Sequence, residues 1–338
     1  RRSGTSLAEP ISSLFVRPVF REVTGTHIGA LVKQFAVDDW VWGQDKGYFG
    51  VSSTLGGEVA DLYERDYIAA WNGVLDDIEL VPFPTLQQAA DALGILAGPT
   101  SPLKGLLAAV TENTMLVQAS AAPSGVAAKA QKEITDKLGG LFQKLPTELR
   151  GAKPTMPGAL VTAHFQPIHR LMAGEPGNTP IDKILARIKE LQHYLGSLAI
   201  DPNSTPPDAL SDPGFREISL SLKEEAATLP PIIQGIVAQV GSKAEVSVGA
   251  SASSELERRY RVEVLQPCQA VLQDRYPFTV TSPRELPMVD FARVFGYDGL
   301  FDRFFAENLE QLIDTSQPSW AWRPGAVAGS REMLEEFQ

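Results

Sequence analysis

This 338-residue chain has 41 acidic side chains but only four histidines and one cysteine, and few of its reactive types stand at a spacing that does covalent or acid–base work. The four histidines are His27, His164, His169 and His193, and none has the four-residue helical spacing that lets two imidazoles grip zinc. His164 and His169, five apart, diverge around a helix. One nucleophile pattern is present: Ser101-Pro102-Leu103-Lys104 has the Ser-x-x-Lys letters of penicillin-binding enzymes, without the supporting Lys-Thr-Gly. A helix start explains the same letters, with Ser101 as N-cap and Pro102 at the first helical position. Asp76 and Asp77 form an acid pair, but adjacent carboxylates on a helix point about 100° apart and cannot flank one substrate bond unaided. A periplasmic hydrolase using Ser101 or this pair is the enzymatic alternative. Gly-x-Ser-x-Gly, P-loop and Gly-x-Gly-x-x-Gly patterns are missing; Gly241-Ser242-Lys243 has P-loop letters in the wrong order.

Composition narrows the classes further. A formal charge of -11 sets the chain against nucleic acid and anionic lipid, and Glu257-Arg258-Arg259-Tyr260-Arg261 contains its own acid and reads as a solvated helix face. Cys268 is the single cysteine, so neither an intrachain disulfide nor a thiolate metal cage can form, and its apolar setting predicts a buried, inert thiol. No cofactor or metal site is expected. No apolar run reaches the ~18 residues of a membrane span, and Arg1-Arg2 is not followed by the apolar core of a signal peptide.

The elements that must position these residues are helical. Val59, Tyr63, Tyr67, Trp71, Leu75 and Ile78 recur at three- and four-residue spacing, which predicts a helix over 57–80, roughly 35 Å long at ~1.5 Å per residue. Its opposite face carries Glu58, Asp61, Glu64, Asp66, Asp76, Asp77 and Glu79, read as solvated because side chains that radiate cannot converge on an ion. Further helices are predicted over 85–96, 103–117, 158–172, 181–198, 215–229 and 232–240, separated by Pro/Gly turns. The fold class is all-α: a multi-helix stack of two helical domains with little or no β-structure. Glu245-Val246-Ser247-Val248 is the only short strand candidate. The Gly/Ala/Ser-rich segment 242–254 reads as a linker between a helical region over 1–241, with a variable excursion at about 120–157, and a C-terminal helical domain over 255–338. That domain is expected to open with a long helix over 254–273 and to close with Leu300/Phe301, Phe304/Phe305, Asn308/Leu309 and Leu312/Ile313 as paired positions every four residues.

Motifs in a fixed order carry a resemblance. Near the C-terminus stand Arg275-Tyr276-Pro277-Phe278, then Asp290-Phe291-Ala292-Arg293-Val294-Phe295-Gly296, then Gly299-Leu300-Phe301-Asp302-Arg303-Phe304-Phe305. Upstream are Trp40-Val41-Trp42-Gly43, Tyr63-x-Arg65-Asp66-Tyr67 with Trp71, Ser101-Pro102-Leu103 with Leu106-Leu107, Phe165-x-x-Ile168-His169-Arg170-Leu171, and Pro267-Cys268. Together these resemble the TssM/IcmF family, inner-membrane proteins of bacterial type VI secretion systems. Phe15-Val16-Arg17 and Trp42 depart from that family's usual residues.

The resemblance implies a periplasmic scaffold segment of the secretion membrane complex, not an enzyme. In the whole protein it would link the inner-membrane anchor to an outer-membrane lipoprotein by helix packing and self-association. It implies a TssJ-like lipoprotein and a TssL-like inner-membrane protein as partners, and a homo-oligomer in the full complex. The family's transmembrane helices would lie upstream, and its C-terminal β-sandwich, the main lipoprotein contact, is expected to be absent from this chain. Trp40, Tyr63, Arg65, Asp66, Trp71, Arg275, Tyr276, Pro277, Phe278, Phe291, Phe295, Asp302, Phe304 and Phe305 form its structural signature. Of these, Arg65 with Asp66, Arg275, and Asp302 with Arg303 are expected to make charge-assisted hydrogen bonds at helix crossings. Trp320 and Trp322 would either face a partner or pack at a domain junction.

Overall fold

A computed structural model of the chain describes residues 2–4, 11–37, 48–117, 156–175, 177–201, 205–206 and 208–338. Trp40 and the variable excursion up to residue 155 lie outside the described residues. In chain order the helices are α1 Arg17–Glu22, α2 Ile28–Val37, α3 Tyr48–Asp76, α4 Leu86–Leu96, α5 Pro102–Thr114, α6 Ala159–Met172 and α7 Pro180–Ile200. They continue with α8 Pro213–Ala227, α9 Pro231–Arg259, α10 Gln266–Leu272, α11 Met288–Phe295, α12 Leu300–Phe304 and α13 Arg331–Phe337. The fold is all-α. Among the described residues its only sheet is an antiparallel pair of two-residue strands, β1 Ile313–Asp314 and β2 Ala321–Trp322, with Ile313 opposite Trp322.

Proline marks the helix starts as well as the turns. Pro102, Pro180, Pro213 and Pro231 each occupy the first position of a helix, where the missing N–H leaves no backbone bond unmade and the fixed φ suits the first turn. Wide π-type turns occupy Val23–His27, Tyr260–Leu265 and Phe305–Leu309. The middle one runs directly into α10 with Pro267 at its second residue, where a proline ring crowds the preceding turn and cannot donate to it. The long helix expected over 254–273 is therefore an α–π–α run.

The chain forms two compact units, one of residues 1–79 and 103–181, the other of residues 80–102 and 182–338. In the first, Tyr67, Trp71 and Leu75 of α3 are buried, as are Leu107 and Val110 of α5 and Val161, Phe165 and Ile168 of α6. In the second, α7 buries Ile184, Leu185, Ile188, Leu191 and Leu195 at 0–6% exposure. Each such side chain contributes ~1.5–3 kcal/mol when fully buried, so this stripe alone anchors the helix. A distal core joins Leu256, Tyr260, Val264, Phe304, Leu309, Leu312, Ile313, Met333 and Leu334.

Segment 242–254 corrects the expected linker. It is the interior of α9, a continuous helix of 29 residues. Gly241, Ala244, Ser247, Val248 and Ala252 are buried at helical spacing and continue into Glu255 and Leu256. Small residues here let neighbouring backbone come close: the Ser247 hydroxyl donates to the Phe83 carbonyl at 2.7 Å, and a Cβ on Gly249 would meet Leu210 at 3.5 Å. The strand candidate 245–248 is helical for the same reason. Ala244→Leu should overfill this contact and cost ~1–3 kcal/mol, read as a lower urea midpoint at unchanged slope; an unchanged midpoint would mean the segment behaves as a linker after all.

Candidate functional site: buried polar contacts between helices

The most consequential polar residue of the first unit is Glu64, which the helical pattern assigns to a solvated face. It is 3% exposed. Helix α6 begins after Gly158, whose φ of 88° suits glycine and whose missing Cβ would otherwise sit 2.7 Å from Leu116 Cβ. Glycine has no side chain with which to cap the helix. Glu64 of α3 supplies the cap: Oε1 accepts from Gly158 N at 2.7 Å and Oε2 from Leu160 N at 3.1 Å. Both oxygens meet backbone donors at the positive end of a helix dipole, which is what makes this burial tolerable. The signature neighbours Arg65 and Asp66 are exposed, so the expected charge-assisted crossing belongs to Glu64 instead.

Tyr63, Tyr67 and Trp71, one turn apart on α3, use their polar tips on the N-terminal segment and on α5. Tyr63 Oη donates to the Leu14 carbonyl, Tyr67 Oη to the Asn113 carbonyl at 2.7 Å, and Trp71 Nε1 to the Phe15 carbonyl at 2.9 Å. Phe20 stacks on Tyr63 and meets Tyr67 edge-on, each at 5.5 Å between centroids, and Phe15 meets Tyr67 edge-on at 5.8 Å. Such pairs add ~0.5–1.5 kcal/mol beyond burial. Burial raises the Tyr63 and Tyr67 pKa values, so both phenols stay neutral donors.

The catalytic candidates are spread out or spent. Ser101 is buried directly before α5, matching a helix start. Asp77 accepts from Ser3 N and Ser3 Oγ at 2.7 and 2.6 Å, holding the N-terminal residues, while Asp76 is exposed. His164 is exposed beside Asn72. His169 is buried, and burial pushes its pKa down. Thr114 Oγ1 gives its proton to the Val110 carbonyl at 2.7 Å, so in the 2.8 Å contact with His169 the imidazole Nε2 is the donor. Cys268 is buried and its thiol is raised by burial, which keeps it from forming a thiolate. Among the described residues no group of three or more His, Cys, Asp or Glu could hold a metal ion.

In the second unit a cleft of about 540 Å³ is lined by Ser247, Ser251, Ser254, Glu255, Arg258 and Arg261 among others. Much of its polar chemistry holds helices together. Glu255, with its side chain 1% exposed, accepts from Arg258 Nε at 2.6 Å, Arg258 Nη2 at 2.8 Å and Arg259 Nε at 3.0 Å. Arg259 Nη1 reaches Asn308 Oδ1 at 3.3 Å, and Glu257 Oε1 accepts from Ser330 N at 2.5 Å, at the start of α13. The cluster read as a solvated face is thus the clasp of the distal core, with Tyr260 buried in its middle.

The remaining signature residues divide between core and surface. Phe304 is buried, with Phe301 and Phe305 packed against the same core. Trp320 and Trp322 are half-buried on it, Trp320 5.3 Å from Phe305. Arg275 lies 3.6 Å from Asp290, a partly exposed pair. Asp302 accepts from Asp298 N at 2.8 Å within one turn, and Arg303 is exposed. Tyr276, Phe278, Phe291 and Phe295 are exposed, and Tyr276–Pro277 is a cis bond.

Residues 1–115 match the family model described as IcmF-related: Intracellular multiplication and human macrophage-killing. Over 335 residues, 97% of its length, the chain is 31% identical to the Type VI secretion system component TssM1 of Pseudomonas aeruginosa. The chain belongs to the TssM/IcmF family. It spans 30% of that relative's length. Its fold is similar to a chain of a Type VI secretion system membrane core complex, with TM-score 0.60 at 16% identity, covering 93% of this chain and 57% of that one. A second solved Type VI membrane complex matches with TM-score 0.51 at 15% identity, covering 81% and 49%. The Tyr63-x-Arg65-Asp66-Tyr67-x-x-x-Trp71 motif of this TssM/IcmF chain can therefore be given geometry: its aromatic residues clamp the N-terminal segment and α5.

Glu64→Gln replaces one acceptor oxygen by an amide that cannot receive a backbone N–H, and should cost ~1.5–3 kcal/mol in urea unfolding. Arg275→Ala, at a long and partly exposed pair, should cost under about 1 kcal/mol; the reverse ranking would overturn this assignment. Arg258, then Arg259, hold Glu255 below the usual carboxylate range against its desolvation. A depressed carboxylate contributes stability that is complete above its unfolded value near 4.5 and is lost as pH falls through the folded one. Glu255→Gln should accordingly flatten the acid limb of stability below about pH 4.5, measured by circular dichroism.

Proposed function

We propose that this chain is a non-enzymatic scaffold segment of a type VI secretion membrane complex, part of an inner-membrane protein and lying in the periplasm. The observation that carries this reading is similarity along almost the whole chain, 97% of it aligned with TssM1 and 93% superposed on a membrane core complex chain. The side-chain chemistry supports it. Glu64, Glu255, His169, Tyr67 and Trp71 spend their polar atoms on hydrogen bonds between helices or along them. Internal backbone bonding in each helix leaves the outward side chains available for lateral contacts. In this role the segment joins the inner-membrane anchor to an outer-membrane lipoprotein of the TssJ type, with a TssL-like protein at the inner membrane and further copies of itself alongside. Among the described residues no helix is long and apolar enough to cross a membrane, which accords with a segment placed between two membranes.

The compartment and the absence of catalysis can be tested in a secreting bacterium that carries the full-length protein. In a Cys268→Ser background, Ile200→Cys places a thiol at a position 86% exposed. A small maleimide that crosses the outer but not the inner membrane should label it in intact cells; labelling only after the inner membrane is opened would refute the periplasmic placement. Ser101→Ala should leave secretion within two-fold of the parent, whereas capture of Ser101 by a penicillin-type acylating probe would establish the hydrolase instead.

A further inference from the structure

Helix α11 is apolar on a side that none of the described residues covers. Met288 is 78% exposed, Val289 73%, Phe291 41% and Phe295 43%, and only Val294 of that helix is buried. The loop before it adds Phe278, 50% exposed and stacked on Phe295 at 6.3 Å. Phe291 meets Phe295 at 5.0 Å, and Tyr297, two residues beyond the end of α11, is 98% exposed. Loop and helix are tied together: Leu286 N donates to the Tyr276 carbonyl at 3.0 Å, and Arg275 pairs with Asp290. The surface is therefore a built one.

We propose that this aromatic face docks on a second copy of the same chain. Its area argues for a stable interface: the exposed parts of these side chains come to on the order of 800 Å², about what one partner contributes to a standard-size contact. That exceeds the apolar patch usually left on a monomer. Charge argues for the occupant. The chain carries a net -11, so most of its surface repels another copy, yet residues 274–303 hold four arginines against five carboxylates and are nearly neutral. Arg284 and Arg293 on the rim, 71% and 65% exposed, stand beside Asp274 and Asp290, so both signs are offered to an identical face. A strongly cationic partner would be drawn to the acidic remainder instead, and an anionic bilayer would be repelled by it.

This gives the self-association in the proposed scaffold a specific surface, and its test is independent of secretion. The purified chain should associate reversibly at micromolar concentration in sedimentation velocity. Met288→Asp with Tyr297→Asp, both at highly exposed positions, should weaken that association at least 100-fold without changing the circular dichroism spectrum, while Ile200→Asp should leave it alone. In a Cys268→Ser background, Tyr297→Cys should form an interchain disulfide on mild oxidation and Ile200→Cys should not. A chain that stays monomeric at 100 μM (about a hundred times the expected constant), or association indifferent to the double substitution, would overturn the proposal while leaving the family assignment and the secretion role intact. So would a monomer that binds phosphatidylcholine vesicles through Met288 and Tyr297, since the face would then belong to lipid.

Discussion

The second unit depends on one helix being able to pass through its middle without pushing its neighbours away. α9 runs unbroken from Pro231 to Arg259, and its central turns bury glycine, alanine and serine rather than leucine. Small side chains give up part of the hydrophobic gain per residue, but they bring the helix close enough for Ser247 to bond the Phe83 backbone and for α4 and α8 to pack against it. The far end of the same helix, through Glu255 and Leu256, starts the distal core. A single rod thus joins the packing of α4 and α8 to that of α12 and α13, and no flexible joint intervenes along it.

Buried charge follows one logic in both units. Glu64 and Glu255 are each almost completely removed from water, a placement that costs several kcal/mol for an ion without partners. Each carboxylate has both oxygens engaged, Glu64 with two backbone donors at a helix start and Glu255 with two arginines on its own helix. Glu255 carries its partners along on its own helix, whereas Glu64 fixes which helix end meets α3, because a shifted register would leave its charge uncompensated. The aromatic residues act likewise. Tyr67 and Trp71 fill the core with their rings while their polar tips choose a particular carbonyl.

Among the described residues the hydroxyls, imidazole and carboxylates that could have formed a reactive cluster are paired across helices or stand apart on the surface. Exposed aromatic side chains among the described residues gather on α11 and its preceding loop, at Tyr276, Phe278, Phe291 and Phe295, with Tyr297 just beyond. That distribution suits the scaffold role proposed for this TssM/IcmF segment.

Much of this was legible in the residues themselves. Helical periodicity and proline placement determined the class of fold and most helix limits, because burying one stripe of a helix demands a 3.6-residue repeat whatever lies opposite. The order of short motifs determined the family, and a lone cysteine among apolar neighbours determined an inert thiol. Other features were decided only by tertiary structure. Glu64 shares its helical spacing with solvated acids, and only the arrival of the Gly158 N-terminus makes it buried. The 242–254 segment has a linker's composition, and only close neighbours turn small residues into a contact surface. Phe278, Phe291 and Phe295 have the composition of a core yet face outward, since hydrophobicity states what a side chain should cover but not which body covers it.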